Sequence, residues 1–279
     1  MITLREVKKT VENFNFGPFT LQIDKGNVTA IVGNNGAGKS TLFHLMMGYI
    51  KLDDGKITYE NDDWKRDVAY VPQTSTIYEG FTLMQLKELF QLTYGAWDDD
   101  EFARLTKLFQ LPLDKKLEKL SVGTQKKALL TIALCRPSKL LLLDEPFAGV
   151  DLRGQEQLKN EWIRYMERSD EQTIVFATHS ADEVKTLADF IVLIKDGTCC
   201  GKYEKDGLLS SWRSVWVEID PERALQIPGV KTCAKQGRWT YCLTENIERT
   251  EQFLSENGIH IEKEQRLELN EILTYMLDD

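Results

Sequence analysis

Four apolar segments of the chain are short and rich in Val, Ile and Leu, and they lack the alternation of a half-exposed strand. Strands buried on both faces, as in a parallel sheet covered by helices, have such unbroken apolar runs. Segments of helical periodicity lie between them. The pattern predicts an α/β core with a mostly parallel sheet, whose ligand lies at the carboxyl ends of the strands. The predicted strands are residues 28–32, 140–143, 173–177 and 190–194.

Residues 74–137 change to a helical pattern. Thr82 with Gln85, and Asp98 with Glu101, have the spacing of capping boxes. Each pair precedes apolar residues at helical spacing, which are Leu83, Leu86 and Phe90 after the first pair and Phe102, Leu105 and Phe109 after the second. This stretch is therefore predicted to be a helical insertion in a core made of residues 1–73 and 138–206.

A different pattern begins near residue 207, after the turn at Asp196 and Gly197. Val215, Val217 and Ile219 alternate with polar residues as in a strand. Two further strands are predicted at residues 230–235 and 238–243, and two helices at residues 247–256 and 270–277. The chain thus divides into a domain of residues 1–206 and a small α+β module of residues 207–279.

The net charge of −9 argues against a general nucleic-acid binder, which needs a basic face to neutralise phosphates. No apolar run approaches the roughly 20 residues that cross a bilayer, and the first residues do not resemble a signal peptide. The five cysteines are odd in number and have no metal-binding spacing. These features predict a soluble protein with reduced thiols that stays in the cytoplasm.

The segment after the first predicted core strand matches the pattern G-x-x-x-x-G-K-[ST] and opens a helical run. Glycines let the backbone N–H groups wrap around phosphates, Lys39 reaches the outer phosphates, and the Ser40 hydroxyl ligates Mg²⁺. A glycine-rich turn without function is an improbable explanation in this context. The predicted nucleotide-binding residues are Gly33, Asn34, Asn35, Gly36, Ala37, Gly38, Lys39, Ser40 and Thr41.

Asp144 and Glu145 follow the apolar segment 140–143 where it leaves the sheet. Both would lie beside the phosphate loop if the two strands are neighbours. Asp144 is then suited to hold Mg²⁺, and Glu145 to accept a proton from an attacking water. The alternative, an acidic turn after a core strand, would be preferred if the phosphate loop were missing.

Five motifs in order resemble those of ABC transporter ATPases, and the resemblance spans about residues 1–205. The motifs are Gln73 in Tyr-Val-Pro-Gln, Leu120-Ser121-Val122-Gly123, Asp144-Glu145-Pro146, Gly149-Val150-Asp151 and His179. The sequence of residues 82–151 is most similar to those of the ATPase subunits of bacterial multidrug and bacitracin-type exporters, whose membrane subunit is a separate polypeptide. The resemblance implies a P-loop NTPase core with ATP and Mg²⁺ as its ligands.

The same resemblance implies roles for the motif residues. Ser121, Val122 and Gly123 would form a signature that caps the γ-phosphate held by a second subunit, although Ser121 alone could be an ordinary helix cap. Asp151 would lie in a dimer loop. His179 would bind the γ-phosphate, or alternatively only orient Glu145. Gln73 would contact Mg²⁺ or the attacking water and report the nucleotide state to a partner.

Two positions depart from the family pattern. Val122 replaces the first of two adjacent glycines, which restricts φ and ψ and predicts a weaker cap or lower activity. The tyrosine that stacks on adenine is missing, because Thr10 falls near its place. Phe14 and Phe16 are the nearest aromatic candidates, although Phe16 could equally belong to the core.

The function that follows is an ATP-hydrolysing subunit that dimerises around two ATP molecules and drives a separate permease, in export, at the inner face of the cell membrane. A short helix of the permease would dock on a groove lined by Ile77, Tyr78, Phe81, Tyr94 and Trp97. Two alternatives stay open: a soluble ATPase that assembles iron–sulfur clusters, and a regulatory module that holds ATP without hydrolysing it. DNA-repair ATPases of this type need coiled coils or basic surfaces, which are absent from the sequence.

Overall fold

The computed structural model describes residues 1–12 and 14–278, which form two compact units, Met1–Lys202 and Tyr203–Asp279. The strands are β1 (Ile2–Val11), β2 (Phe14–Ile23), β3 (Val28–Val32), β4 (Asp54–Tyr59), β5 (Val68–Val71), β6 (Leu140–Asp144), β7 (Thr173–Thr178), β8 (Phe190–Lys195), β9 (Thr198–Glu204), β10 (Arg213–Val217), β11 (Val230–Gln236), β12 (Trp239–Thr244) and β13 (Ile261–Arg266). The helices are α1 (Lys39–Met46), α2 (Trp64–Asp67), α3 (Leu83–Tyr94), α4 (Asp99–Leu108), α5 (Val122–Leu134), α6 (Leu152–Met166), α7 (Ala181–Leu187), α8 (Lys205–Ser211), α9 (Pro221–Ala224), α10 (Ile247–Glu256) and α11 (Leu269–Asp278). Within the described ranges, none of these helices has both the length and the apolar character to cross a membrane.

The central sheet of the first unit has six strands in the order β5-β6-β7-β3-β8-β9. The pairs β5/β6, β6/β7, β7/β3 and β3/β8 are all parallel, so the four predicted core strands and their direction are confirmed. The strand β7 lies between β3 and β6, so the condition that the phosphate-loop and carboxylate strands are direct neighbours is not met. Their carboxyl ends still share one edge, because Val32 pairs with Thr178 and Asp144 with Ala177.

A second sheet of the first unit, in the order β2-β1-β4, is antiparallel and was not predicted. Its strand β1 has register shifts between Leu4 and Val7 and between Val7 and Lys9 against β2, which interrupt the period of two that identifies a strand. Its apolar face joins α1 and the central sheet in one core. That core includes Phe16, Phe19, Ile23, Ile31, Leu42, Phe43, Met46 and Leu142.

The segment between β5 and β6 contains α3, α4 and α5, as its helical pattern predicts. Thr82 and Gln85 form a complete capping box: the Thr82 hydroxyl accepts from the Gln85 N–H at 3.2 Å, and the Gln85 amide oxygen accepts from the Thr82 N–H at 2.9 Å. The second predicted box is wrong in part. Asp98 accepts from the Glu101 N–H at 2.8 Å, but its own N–H donates to the Cys135 carbonyl, because the Glu101 carboxylate is bound to Arg104.

The second unit contains an antiparallel sheet in the order β11-β12-β10-β13, with α9 and α10 in the connections. Its core contains Val215, Val217, Ala224, Ile227, Cys242, Ile247 and Leu254, from β10, α9 and the turn after it, β12 and α10. The predicted strands and helices are confirmed, except that β10 ends before Ile219. The strand β13 was missed because Ile261 is its only apolar residue.

Candidate functional site

The phosphate loop connects β3 to α1 and curls around its own lysine. Lys39 is 6% exposed, and its ammonium donates to the carbonyls of Gly33 at 2.7 Å and Asn34 at 3.2 Å. Gly36 and Gly38 have φ values of 82° and 105°, in the left-handed region where a side chain would be strained. The loop therefore needs these two glycines to keep its amides at the start of α1.

A cleft of about 360 Å³ lies over this loop. It is lined by Phe14, Asn35, Gly36, Gly38, Lys39, Ser40, Thr41, Gln73, Asp144 and Glu145. Most of the nucleotide-site residues predicted from the sequence thus meet Gln73 and both carboxylates in one place. A larger cavity, about 940 Å³, lies beside the start of α4 and the end of α5, but none of the predicted nucleotide-site residues lines it. The smaller cleft is therefore the candidate site because of the residues that line it and not because of its volume.

Asp144 ends β6 inside the cleft and is 1% exposed. Among the described residues, neither of its carboxylate oxygens has a hydrogen-bond partner. Burial raises the pKa of Asp144, although the nearby Ser40 hydroxyl and Lys126 ammonium oppose the rise. Buried carboxylate oxygens without a donor suit a hard cation, so Asp144, Ser40 and Gln73 fit Mg²⁺ as a donor set.

Glu145 is the next residue and is held in an uncommon conformation. Its φ is 46°, which is rare for a residue other than glycine, and its N–H donates to the Ala177 carbonyl of β7 at 3.1 Å. Both carboxylate oxygens lie 3.1 Å from Nδ1 of His179, and the Lys39 ammonium lies 3.7 Å from Oε1. Backbone strain of this kind is typical of functional positions, where the surroundings hold a side chain in place.

His179 directly follows β7 and does not line the cleft, and 62% of its side chain is exposed. The parallel pairing of β6 with β7 places it beside Glu145. Its outer ring edge is therefore accessible to a ligand while Nδ1 contacts the carboxylate.

The three signature residues lie outside the lining of the cleft. Ser121 caps α5, since its hydroxyl accepts from the Thr124 N–H at 3.3 Å, and it is exposed. Val122 is the first residue of α5, is 55% exposed and does not have a positive φ, so the valine fits its backbone without strain. Gly123 is buried, and a Cβ there would lie 2.7 Å from the Gly149 carbonyl. The structure thus separates the signature from the phosphate loop of the same chain.

Asp151 caps α6, as its carboxylate accepts from the Gly154 N–H at 2.7 Å. Its side chain remains 78% exposed, and the Lys127 ammonium of α5 lies 3.8 Å away. The turn of Gly149, Val150 and Asp151 is therefore packed against the start of the signature helix.

The structure distinguishes between the two aromatic candidates near the cleft. Phe16 is 1% exposed and stacks on Phe19 with 4.9 Å between ring centroids, so it belongs to the core. Phe14 is half-buried and lines the cleft. Thr10 pairs with Asn15 near the end of β1, and its N–H donates to Asp53.

Of the five predicted groove residues, Ile77 and Phe81 are exposed, with 61% and 38% of their surface accessible. Tyr78, Tyr94 and Trp97 are half-buried, and the Arg136 guanidinium lies 3.4 Å from the centre of the Tyr94 ring.

Sequence reasoning missed Arg136. It also missed Gln125 and Lys126, for which the only signal was a pair of polar residues leading into the apolar run of α5.

Comparison with known proteins agrees with this geometry. The family model described as ABC transporter matches residues 16–148. An uncharacterized ABC transporter ATP-binding protein of Alkalihalophilus pseudofirmus is 31% identical over 219 residues, which cover 72% of this chain and 79% of that protein. The chain belongs to the ABC transporter ATP-binding proteins. The family resemblance predicted from the motifs is confirmed, and the chain is an ATP-binding subunit of an ABC transporter.

Two further relatives of this ABC transporter ATP-binding protein are informative. The lantibiotic transport ATP-binding protein SrtF of Streptococcus pyogenes is 28% identical over 213 residues, covering 74% of this chain and 92% of SrtF. A solved structure described as the dimeric bacterial ABC transporter cassette MJ0796 has a TM-score of 0.64 and 23% identity, and covers 73% of this chain and 98% of that chain. This likeness confirms the predicted fold class.

Proposed function

We propose that this chain hydrolyses ATP in a composite site that it shares with a second ATPase subunit, and that it drives a separate permease in export. The observation that carries the proposal is the convergence of Lys39, Asp144 and Glu145 on one cleft, with His179 against Glu145. A nucleotide-holding module needs no strained, buried carboxylate beside its phosphate loop.

Each residue of the cleft has a chemical task in this proposal. Lys39 binds the outer phosphates of ATP once it leaves the carbonyls of Gly33 and Asn34. Ser40, Asp144 and Gln73 would hold Mg²⁺, which would neutralise charge on the phosphates. Glu145 accepts a proton from the attacking water, and His179 orients Glu145 while its exposed ring edge faces the γ-phosphate.

The signature completes the site from the other subunit. Ser121 and the amides at the start of α5 point to no phosphate in their own chain, because they lie outside the cleft. An exposed helix N-terminus with a hydroxyl at its cap is suited to bind an anion. A second subunit would therefore supply Ser121 to Gly123 above the nucleotide, with Asp151 at the border between the two subunits.

The permease would bind at the surface of α3 and the preceding turn. Apolar side chains are exposed there, with Leu92 at 87%, Ile77 at 61% and Leu89 at 41%. A groove with such residues accommodates the apolar face of a short helix. Docking would hold the chain at the cytoplasmic face of the cell membrane, and the resemblance of residues 82–151 to exporter ATPases favours export. The second unit offers a further contact with the permease or the second ATPase subunit.

The proposal is tested with the variant Glu145→Gln. We expect wild type to hydrolyse ATP, and the variant to bind ATP without turnover and accumulate as a dimer in size-exclusion chromatography. Asp182→Asn, which changes an exposed carboxylate of α7, is the matched control and should behave as wild type. Equal and negligible turnover by wild type and Glu145→Gln would contradict the hydrolytic role and leave a regulatory module.

A further inference from the structure

Lys126 is a buried cation on the second turn of the signature helix α5. It is 4% exposed, and its ammonium donates to the carbonyl of Pro72 at 3.0 Å and to the carbonyl of Asp144 at 2.9 Å. Pro72 directly precedes Gln73, and Asp144 directly precedes Glu145. The Lys126 side chain therefore binds the main chain directly after β5 and at the end of β6. These two points precede the cleft residues Gln73 and Glu145.

The preceding residue, Gln125, extends this connection in both directions. Its amide oxygen accepts from the Ser75 hydroxyl at 2.6 Å, two residues after Gln73. Its amide nitrogen donates to the Leu120 carbonyl at 2.9 Å, directly before Ser121. The two adjacent residues thus link the nucleotide cleft of their own chain to the signature.

Attachment of α5 does not depend on these polar contacts. Ala128, Leu129, Leu130, Ile132 and Ala133 are each at most 5% exposed, so an apolar face already secures the helix. Burying an ammonium is costly unless its hydrogen bonds are satisfied. Packing of the helix therefore does not explain the buried ammonium of Lys126.

We propose that Gln125 and Lys126 form a positioning bridge that couples the state of Gln73 and Asp144 in one nucleotide site to the geometry of Ser121 and Gly123 in the other. The inference rests on the composite site proposed above. If Gln73 and Asp144 made new contacts with bound Mg²⁺-ATP, the carbonyls of Pro72 and Asp144 would move with them, and Lys126 would shift the start of α5. Each subunit thereby holds its signature in alignment through contacts with the strand ends of its own cleft.

Mixed dimers separate this role from a local effect on the cleft. A Lys39→Ala chain supplies an intact signature but no phosphate loop, and a Ser121→Arg chain supplies the opposite. Each mixed dimer contains a single complete site, formed by the cleft of the Ser121→Arg chain and the signature of the Lys39→Ala chain. Lys126→Met is then added to the Lys39→Ala chain only, where it contacts no part of the working cleft.

We expect the ATPase rate of this mixture to fall by about fivefold or more, the scale of typical coupling between sites. Lys126→Arg, which keeps a donor, should restore much of the rate, and Gln125→Leu in the same chain should also lower it. Lys107→Met, an exposed lysine of α4, is the matched control and should change the rate by less than about twofold.

An unchanged rate with both Lys126→Met and Gln125→Leu in the Lys39→Ala chain would overturn the bridge. So would a loss that occurs only when they are placed in the Ser121→Arg chain, since that result means a local role in the cleft. An inactive mixture without any bridge variant would instead refute the composite site itself. Thermal unfolding of each chain shows that the variants remain folded.

Discussion

Phe14 lies against Gly38 of the phosphate loop so closely that a Cβ at Gly38 would be 3.0 Å from Cζ of the ring. The contact brings an aromatic side chain of β2 to the wall of the nucleotide cleft, where Gly38 leaves space for it. Phe16, two residues further along the strand, points into the core and is not accessible to a nucleotide. Phe14 is therefore the ring that we expect to stack on adenine.

Replacement of Phe14 by Ala should weaken ATP binding more than catalysis. An aromatic contact contributes about 0.5–1.5 kcal/mol, so we expect KM for ATP to rise by about 2- to 10-fold while kcat changes by less than about twofold. Phe14→Tyr should retain KM, and Phe81→Ala, outside the cleft, serves as the control. A large loss of kcat with an unchanged KM would exclude the stacking role.

Arg104 of α4, whose side chain is 31% exposed, forms an ion pair with the buried Glu161 of α6. Its guanidinium donates to both carboxylate oxygens of Glu161, at 2.9 and 2.5 Å, and Glu161 is 4% exposed. Arg104→Met leaves a buried carboxylate without its main partner, so we expect the free energy of unfolding to fall by about 3 kcal/mol. Urea denaturation measures this loss.

The double variant Arg104→Met with Glu161→Leu removes both charges and should recover most of that stability. Arg164, whose side chain is 59% exposed and 3.9 Å from Glu161, provides the comparison. Arg164→Met should cost less than about 1 kcal/mol. If the two arginine variants were equally destabilised, the buried pair would not be what connects α4 to α6.

Lys126 makes the stability of the chain depend on pH at alkaline values. Burial lowers its pKa to about 8 from the usual 10.5. Between these values the unfolded chain binds more protons than the folded chain, so this residue makes the free energy of unfolding rise with pH. Relative to Lys126→Gln, we expect wild type to gain about 1 kcal/mol per pH unit above about pH 8, and nothing below about pH 7.

Urea denaturation without nucleotide, over about two pH units above neutrality, measures this difference. Other groups that titrate in that range are common to both proteins and cancel. A difference in stability that does not vary with pH would mean that the ammonium of Lys126 keeps its ordinary proton affinity in the fold.

Contiguous motifs allowed much of the fold and of the cleft to be predicted from the sequence. The phosphate loop and the pair Asp144 and Glu145 each follow an unbroken apolar strand, and such strands have a clear signal. Contacts between distant segments could not be derived in this way. The sequence does not say that β7 separates β3 from β6, which is what places His179 against Glu145.

The environments of polar residues with partners in distant segments could not be predicted from the sequence either. Lys126 resembles any helical lysine in the sequence, and only its two strand-end carbonyls mark it as buried. The edge strand β13 has one apolar residue, since one side of such a strand can remain in water. Phe14 and Phe16 are two residues apart, so a strand pattern places both on one face, and only packing separates their environments.

The composite site is the central claim, and mixing two inactive variants tests it most directly. Lys39→Ala lacks a phosphate loop and Ser121→Arg lacks a signature, so each chain alone should hydrolyse ATP at a small fraction of the wild-type rate. In an equal mixture about half of the dimers are mixed, and each mixed dimer has one complete site, so up to about a quarter of the wild-type rate should return. A mixture as inactive as its components, or a Ser121→Arg chain with the full wild-type rate, would contradict the account.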